Sequence, residues 1–391
     1  MAPATTAQTP PPPAAPFDGP RDHRGSWIPT GGMIATRFME LRKRRGLMLA
    51  LILVNIGLPT IFLTVRLLAH AFAPKSYGPA GGYDIYTNLV AGVMYVFGFI
   101  VAATLGSTAG SVDLTEGMFR HLVVTGRSRL ALYLARIPAG LAIIVPLVAI
   151  GFTIVCAVSV FAAPTTLSYN GVKVPAGLSR SGLDNWAADH ADEVLCSFNF
   201  NGPGLPNVQC GNGPNGGTVI NGPPGSAGAG QPTTAQLRAA AIEVAKQNYS
   251  SYATEFLYPS DSLMIKSGLW IELEAVIGFV VALGLASLMG QRTIAVILMI
   301  VLELVLTPIF SMARIPHLSN LQRSVVGLAT AHLEPGGLPL AFGGGGGGGP
   351  GGGRAASQLL PESTTVAICV IVAWLVGWTV LGAWRMMTRD A

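Results

Sequence analysis

A series of long apolar stretches with almost no charge constrains this chain more than any other feature. Residues 47–65 are 19 consecutive positions without a charged side chain, enough for an α-helix to cross the hydrocarbon core of a bilayer. Only 11% of all residues are charged and 50% are hydrophobic, unlike ordinary soluble domains. We therefore predict an all-α integral membrane protein with six transmembrane helices. The other five stretches lie at about 89–108, 137–161, 268–289, 293–312 and 365–384.

The basic residues predict how these helices are oriented. Six spans place both termini on one side, and 14 of the 24 Lys and Arg residues fall on that side although it is the smaller one. Because cytoplasmic segments carry the excess of positive charge, we expect both termini in the cytoplasm. The basic residues follow the spans and form no patch with interleaved aromatics, which excludes nucleic acid as a partner. Abundant Arg, Ala, Gly and Pro indicate GC-rich coding and hence a bacterial plasma membrane.

Composition divides the chain into regions of different character. Gly, Pro and Asn crowd the long segment between spans 3 and 4, where all membrane periodicity is lost. One modest helix is predicted there, at 235–247. The regions are a disordered cytoplasmic Pro-rich tail at 1–30, an interface helix and spans 1–3 at 31–163, an external loop region at 164–262, and spans 4–6 at 263–391, the last with external broken helices at 314–340 and a Gly linker at 343–353.

An amphipathic helix is predicted just before span 1, over residues 33–45. Ile34, Phe38 and Leu41 share one face, and basic residues surround them. This pattern favours a helix lying at the cytoplasmic interface. A plain basic flank of the span is the alternative, and it explains the charges without the apolar spacing.

The segment between spans 2 and 3 has the pattern of a second amphipathic helix, at 112–126. Asp113 and Glu116 have the spacing of a capping box. Glu116 and Arg120, one turn apart, are either docking residues or a solvated helix pair. The apolar face of this helix would comprise Leu114, Met118, Phe119, Leu122 and Val123.

A further helix is predicted to begin after Gly126 and to lead into span 3. Arg127 and Arg129 stand at its start. Arg129, Tyr133 and Arg136 share one face, and we interpret them as anchors at the membrane surface.

Three glutamates lie within the apolar stretches. A carboxylate costs about 2.5 to 3.5 kcal/mol at the centre of a membrane helix, so Glu303, the nearest to mid-span, needs a polar partner or a water-filled lining. Glu272 and Glu274 are further candidates for a substrate path. Their alternative is a position near the outer interface, where the cost is small.

Two cysteines, Cys196 and Cys210, lie in the predicted external loop. Outside the membrane they are candidates for a disulfide, with two free thiols as the alternative.

Catalytic signatures are missing from the sequence. The glycine run at 343–349 ends in Pro350 without the Lys-Ser/Thr of a phosphate-binding loop. No H-E-x-x-H, C-x-x-C or G-x-S-x-G pattern occurs. We therefore expect no catalytic residues, no metal site and no enzyme activity in this chain.

Three motifs resemble the permease subunit of type-2 ATP-binding-cassette (ABC) exporters. They are MELRKRRG before span 1, EGMF with Glu116 and Gly117 after span 2, and TGRSRLALYLAR leading into span 3. The resemblance covers roughly residues 33–163 and 264–390. It implies a six-helix domain that pairs with a second permease copy.

The resemblance also implies separate ABC ATPase subunits, which would bind ATP and Mg and dock on the helix between spans 2 and 3. Two alternatives remain, an ion-coupled secondary transporter that uses Glu303 and Glu272, and a membrane anchor or assembly factor without transport. The residues expected to couple to the ATPase are Asp113, Glu116, Gly117, Phe119, Arg120, Arg127 and Arg129.

Overall fold

Helices account for 86% of the structure, a computed structural model. The residues that it describes are 27–73, 77, 80–115, 128–163, 166–169, 172–197, 207–209, 219–221, 233–256, 259–312, 316–335 and 362–388.

Among the described residues, six helices are long and apolar enough to cross a membrane, the number that the sequence predicts. Each includes most or all of one predicted stretch. We number them in chain order: Arg45–Phe72, Ile85–Val112, Arg129–Phe161, Asp261–Met289, Arg292–Phe310 and Thr364–Thr388 are spans 1 to 6.

Spans 1, 2 and 5 are not uniform α-helices, because each contains a π-helical turn. Span 3 has a short first helix joined to a long one at Ala135. Spans 4 and 6 are single α-helices. The component helices are, in span 1, Arg45–Ile52, Leu53–Gly57 (π) and Leu58–Phe72; in span 2, Tyr83–Asn88, Leu89–Tyr95 (π) and Val96–Thr115; in span 3, Arg129–Leu134 and Arg136–Phe161; and in span 5, Arg292–Ile300, Val301–Leu306 (π) and Thr307–Met312.

Span 4 is the centre of the bundle. Of its apolar stretch 78% is buried, against 22% in spans 1, 5 and 6. Span 2 packs closely against it through Gly106 and Gly110. A Cβ atom added at Gly106 would lie 2.1 Å from the carbonyl oxygen of Phe279. Small residues spaced by four allow helix backbones to approach in this way within a membrane.

Spans 4 and 5 form a tight hairpin. Gly290 ends span 4 in the left-handed conformation, with φ of 74°, and its N–H donates to the Ala286 carbonyl at 2.8 Å. This conformation suits glycine, which has no Cβ. Span 5 begins two residues later, at Arg292.

A helix at Gly31–Lys43 precedes span 1, where the interface helix was predicted. It packs against span 3 and buries Arg37 and Leu41. Arg37 Nη1 also lies 2.6 Å from the carboxylate of Glu40. Most of the remaining basic residues at its end are exposed, among them Arg42 and Lys43.

The described part of the segment between spans 5 and 6, residues 316–335, contains three short helices, Pro316–Leu318 (3-10), Ser319–Arg323 and Val326–Ala331. The last of these, which we call the inserted helix, is buried along its whole length. Trp374 of span 6 donates to the Ser324 carbonyl at 2.7 Å, just before it. The inserted helix therefore packs among the spans.

The region between spans 3 and 4 has its own small core. Two antiparallel hairpins pair Thr166–Tyr169 with Val172–Pro175 and Asn207–Gln209 with Val219–Asn221, so the prediction of an all-α fold was incomplete. The helices are Arg180–Asp189, Ala191–Ser197 and Thr234–Phe256, the last longer than predicted. The buried residues include Val174, Leu183, Ala187, Val194, Ala241, Val244, Ala245 and Tyr252.

Asp113 does not cap a new helix. The helix Val96–Thr115 of span 2 continues through it. Two residues before Asp113, the Ser111 hydroxyl donates to the Ser107 carbonyl of the same helix at 2.8 Å. The capping-box interpretation of Asp113 is therefore wrong.

Several predictions lie outside the described residues. They concern the tail up to residue 26, the Gly linker at 343–353, Cys210, and residues 116–127, which include five of the residues expected to couple to the ATPase, Glu116, Gly117, Phe119, Arg120 and Arg127.

Candidate functional sites in the bundle

Glu303 lies in the π-helical turn of span 5 and is 1% exposed. Tyr95, at the end of the π-helical turn of span 2, donates its hydroxyl to Glu303 Oε1. The third π-helical turn, in span 1, also holds a buried polar side chain, Asn55. Isolated π turns are frequent at functional sites of helices.

Span 4 supplies a second buried carboxylate and an aromatic ring to this site. Glu274 is 2% exposed and lies within electrostatic range of Glu303. Trp270, one turn earlier, stacks on the Tyr95 ring with centroids 5.2 Å apart and planes 12° apart. Its indole N–H donates to the Thr330 carbonyl at 3.0 Å. Spans 2, 4 and 5 therefore meet here with the inserted helix.

The inserted helix approaches Glu303 through Gly327. A Cβ added at Gly327 would lie 2.3 Å from the Thr307 hydroxyl and 2.7 Å from Glu303 Oε2. No larger residue fits without displacing one of these side chains. The inserted helix thus forms one wall of the site.

The site has more acceptors than donors. Glu274 Oε1, Glu303 Oε2 and Glu334 Oε1 are buried without a hydrogen-bond partner, and within the described chain no ion pair reaches these three groups. Buried carboxylates without partners are costly, so the site has a chemical need for a proton or a cation. We call Glu274, Glu303, Tyr95 and Trp270 the carboxylate cluster.

Glu334 lies beside a cavity of about 450 Å³ along the N-terminal half of span 4, and Trp270 of the cluster lines the same cavity. The cavity is lined by Glu334, Trp270, Leu273 and Lys266, among others. Burial raises the pKa of Glu334 to about 8. A carboxyl that titrates near neutral pH can take up and release protons under physiological conditions.

The three glutamates predicted from the sequence separate into two groups. Glu303 and Glu274 lie within electrostatic range of each other, and the depth of Glu274 in the membrane stays a prediction. Glu272 is half-buried and forms no part of the cluster. Both of its carboxylate oxygens lack a partner.

A second polar site lies at the opposite ends of spans 2 and 4. The Gly110 carbonyl accepts from Arg136 Nη1 at 3.1 Å and from the Ser287 hydroxyl at 3.3 Å. Arg129 Nη1 donates to the Met387 carbonyl at 3.1 Å. These bonds join spans 2, 3, 4 and 6, and we call the set the Gly110 junction.

The Gly110 junction corrects the prediction of surface anchors. Tyr133 is fully buried and Arg136 is 2% exposed, because the short helix Arg129–Leu134 packs inward against span 6. The Ser128 hydroxyl caps that helix by accepting from the Ala131 N–H at 3.1 Å. Only Arg129 has the partial exposure expected of an anchor.

The predicted disulfide is not tested by the structure. Cys196 falls in the helix Ala191–Ser197, and Cys210 lies outside the described residues. The pairing stays a prediction.

Sequence reasoning missed Tyr95, Trp270 and the inserted helix as parts of the site. Trp270 and Glu274 are four residues apart in span 4, and this spacing places them on one helix face. Tyr95 carried no comparable signal, since its partner lies 208 residues away. The Gly106-x-x-x-Gly110 spacing could have identified the contact between spans 2 and 4.

Comparisons with protein-family models, with curated proteins and with solved structures found no significant match. Among the described residues, no three His, Cys, Asp or Glu side chains are grouped closely enough to hold a metal ion.

Proposed function

We propose that this protein is the membrane-spanning permease subunit of an ATP-driven exporter of the type-2 ABC family. The Gly110 junction is the observation that carries the proposal. Its residues come both before and after residues 116–127 in the sequence, the segment where partner ATPase subunits would dock. Asp113 and Arg129 lie within three residues of its two ends in the sequence.

The junction provides a path for coupling. A displacement of the docking segment would act on Arg129 and on the end of span 2, and the bonds at Gly110 would pass it to spans 3 and 4. Arg129 connects the same segment to span 6. Rigid elements joined by hydrogen bonds are suited to transmit a displacement of this kind.

The proposed assembly contains two permease copies and ABC ATPase subunits, which bind ATP and Mg. It lies in the bacterial plasma membrane with both termini in the cytoplasm. The helix Gly31–Lys43 would then rest at the cytoplasmic interface. Its buried Leu41 and exposed Arg42 and Lys43 support that position.

Charge reversal at Glu116 tests this proposal. Glu116→Lys should leave insertion intact but abolish co-purification of the ATPase and ATP-dependent transport, because a reversed charge at a docking interface costs several kcal/mol. Glu243→Lys, on the exposed face of the helix Thr234–Phe256, is the control. A Glu116→Lys protein that binds its ATPase and transports normally would contradict the proposal.

A second candidate function is ion-coupled transport, which the carboxylate cluster favours. Protons would then bind at Glu303 and Glu274. In vesicles with a pH-sensitive dye inside, the protein without an ATPase should carry protons, and Glu303→Gln should stop that flux. Proton-independent transport that requires the ATPase would exclude this candidate.

A further inference from the structure

A groove on the lipid-facing side of spans 1 and 2 differs from both polar sites. Its walls are apolar and include Leu47, Ala50 and Val54 from span 1 and Ile100 from span 2. Its volume is about 460 Å³. Arg292, the first residue of span 5, also lines the groove.

The residues of the groove lie in one half of the membrane. Spans 1 and 5 begin on the same side, so Gly46 and Arg292 mark the membrane surface and Val54 marks the deep end. Such a groove opens to hydrocarbon along its length and to headgroups at the arginine. Its shape and polarity match one acyl chain with its headgroup.

The headgroup end carries positive potential from several sources. Arg292 is exposed, as is Arg45, which precedes Gly46. The N-caps of the two helices, Arg44 and Gln291, make no side-chain capping bond. The helix dipoles of both spans favour an anion at this end.

We propose that this groove binds an anionic phospholipid, with an acyl chain between spans 1 and 2 and the phosphate at Arg292 and Arg45. Charge complementarity selects this occupant over a second copy of the chain. A two-fold contact through this face would bring each copy's Arg292 and Arg45 towards those of the other copy, and no Asp or Glu lines the groove to balance them. Basic pockets between membrane helices bind anionic headgroups on the same physical grounds.

Native mass spectrometry of the purified chain tests the proposal. The protein is titrated with dioleoyl phosphatidylglycerol and with dioleoyl phosphatidylcholine, which share acyl chains and differ in headgroup charge. Arg292→Gln should lower retention of the anionic lipid about fivefold, the factor expected for one basic residue at an anionic lipid surface, and leave the neutral lipid unchanged. Ala50→Trp should fill the groove and lower retention of both lipids.

Arg385→Gln is the matched control, because Arg385 is an exposed arginine near the same membrane surface in span 6. It should retain both lipids as the unmodified protein does. Equal retention of phosphatidylglycerol by Arg292→Gln, Ala50→Trp and the unmodified protein would overturn the proposal. So would an Ala50→Trp protein that loses a dimer while keeping its lipid, since the second copy would then be the occupant.

Discussion

Spans 2 and 4 meet in two polar sites that differ in their balance of hydrogen-bond donors and acceptors. In the carboxylate cluster, Tyr95 is the hydroxyl donor to Glu303, and two carboxylate oxygens, Glu274 Oε1 and Glu303 Oε2, stay without a donor. In the Gly110 junction, two donors converge on one carbonyl. The junction is complete within the chain, whereas the cluster requires a proton or a cation from outside. The same pair of helices thus has satisfied hydrogen bonds at one end and, at the other, carboxylates that respond to protons or cations.

This difference assigns separate tasks to the two sites. A junction with satisfied hydrogen bonds suits the transmission of movement. A cluster with unsatisfied acceptors changes its energy when it is neutralised. Substitutions should therefore have opposite effects on stability at the two sites.

The largest effect is expected at Gly106, which lies between the two sites on span 2. Gly106→Ala places a Cβ against the Phe279 carbonyl oxygen, a backbone atom, and should destabilise the fold by about 3 kcal/mol or more. Unfolding in detergent measures the loss. Gly377→Ala in span 6, where a Cβ meets nothing within 4 Å, should cost nothing. Equal stability of the two variants would show that spans 2 and 4 are not closely packed.

At the Gly110 junction, Arg136→Gln should lower the free energy of unfolding by about 1.5 to 3 kcal/mol. It removes a charged donor from a buried carbonyl. Exposed Arg385→Gln should change the free energy of unfolding by less than about 0.5 kcal/mol. If Arg136→Gln were as stable as Arg385→Gln, the Gly110 junction would not stabilise the fold, and the proposed difference between the two sites would be wrong.

Glu334 should make stability dependent on pH. Because burial raises its pKa to about 8, the folded state holds this proton more tightly than the unfolded chain does, for which the ordinary value is 4.5. Its stabilising contribution is full below pH 4.5 and is lost as pH rises to about 8, at no more than about 1.4 kcal/mol per pH unit. As pH rises over this range, the melting temperature of Glu334→Gln should fall less than that of the unmodified protein. Glu243→Gln, at an exposed position, should behave like the unmodified protein. Parallel curves for all three proteins would contradict this origin of the pH dependence.

The smallest effect is expected at Glu274, and its sign is opposite. Glu274→Gln removes a buried carboxylate without a full set of partners and supplies N–H donors to its neighbours, so stability should rise by about 1 kcal/mol. Transport should fall at the same time. Glu272→Gln, outside the cluster, should leave transport unchanged. A Glu274→Gln protein that is less stable would show that the cluster is satisfied in some other way.

The spans were predictable because hydropathy over about 20 residues is a local property. Residues that face each other across the bundle were not. Arg136 and Tyr133 have the composition of a membrane-surface flank, and only packing against span 6 shows them to be buried. The inserted helix was equally hidden, since a short apolar segment between prolines reads the same at a surface and inside a bundle.

The small core between spans 3 and 4 could have been found more completely. In the helix Thr234–Phe256, Ala241, Val244, Ala245 and Tyr252 recur on one face at helical spacing. The abundant glycine of the neighbouring segment obscured this pattern. The hairpin partners depend on contacts that no helical periodicity reveals.

The π-helical turn of span 5 has a geometric consequence for the winding of that helix. Its buried residues Ala295, Met299, Glu303 and Thr307 are spaced by exact fours. In a uniform α-helix this row would rotate by about 120° from first to last. The extra residue in the turn takes back about 100° of that rotation, and the Thr307 hydroxyl bonds the carbonyl five positions earlier, that of Leu302, at 3.1 Å. Deleting one residue there would rotate the last quarter of the span about the helix axis and move Thr307 away from Gly327.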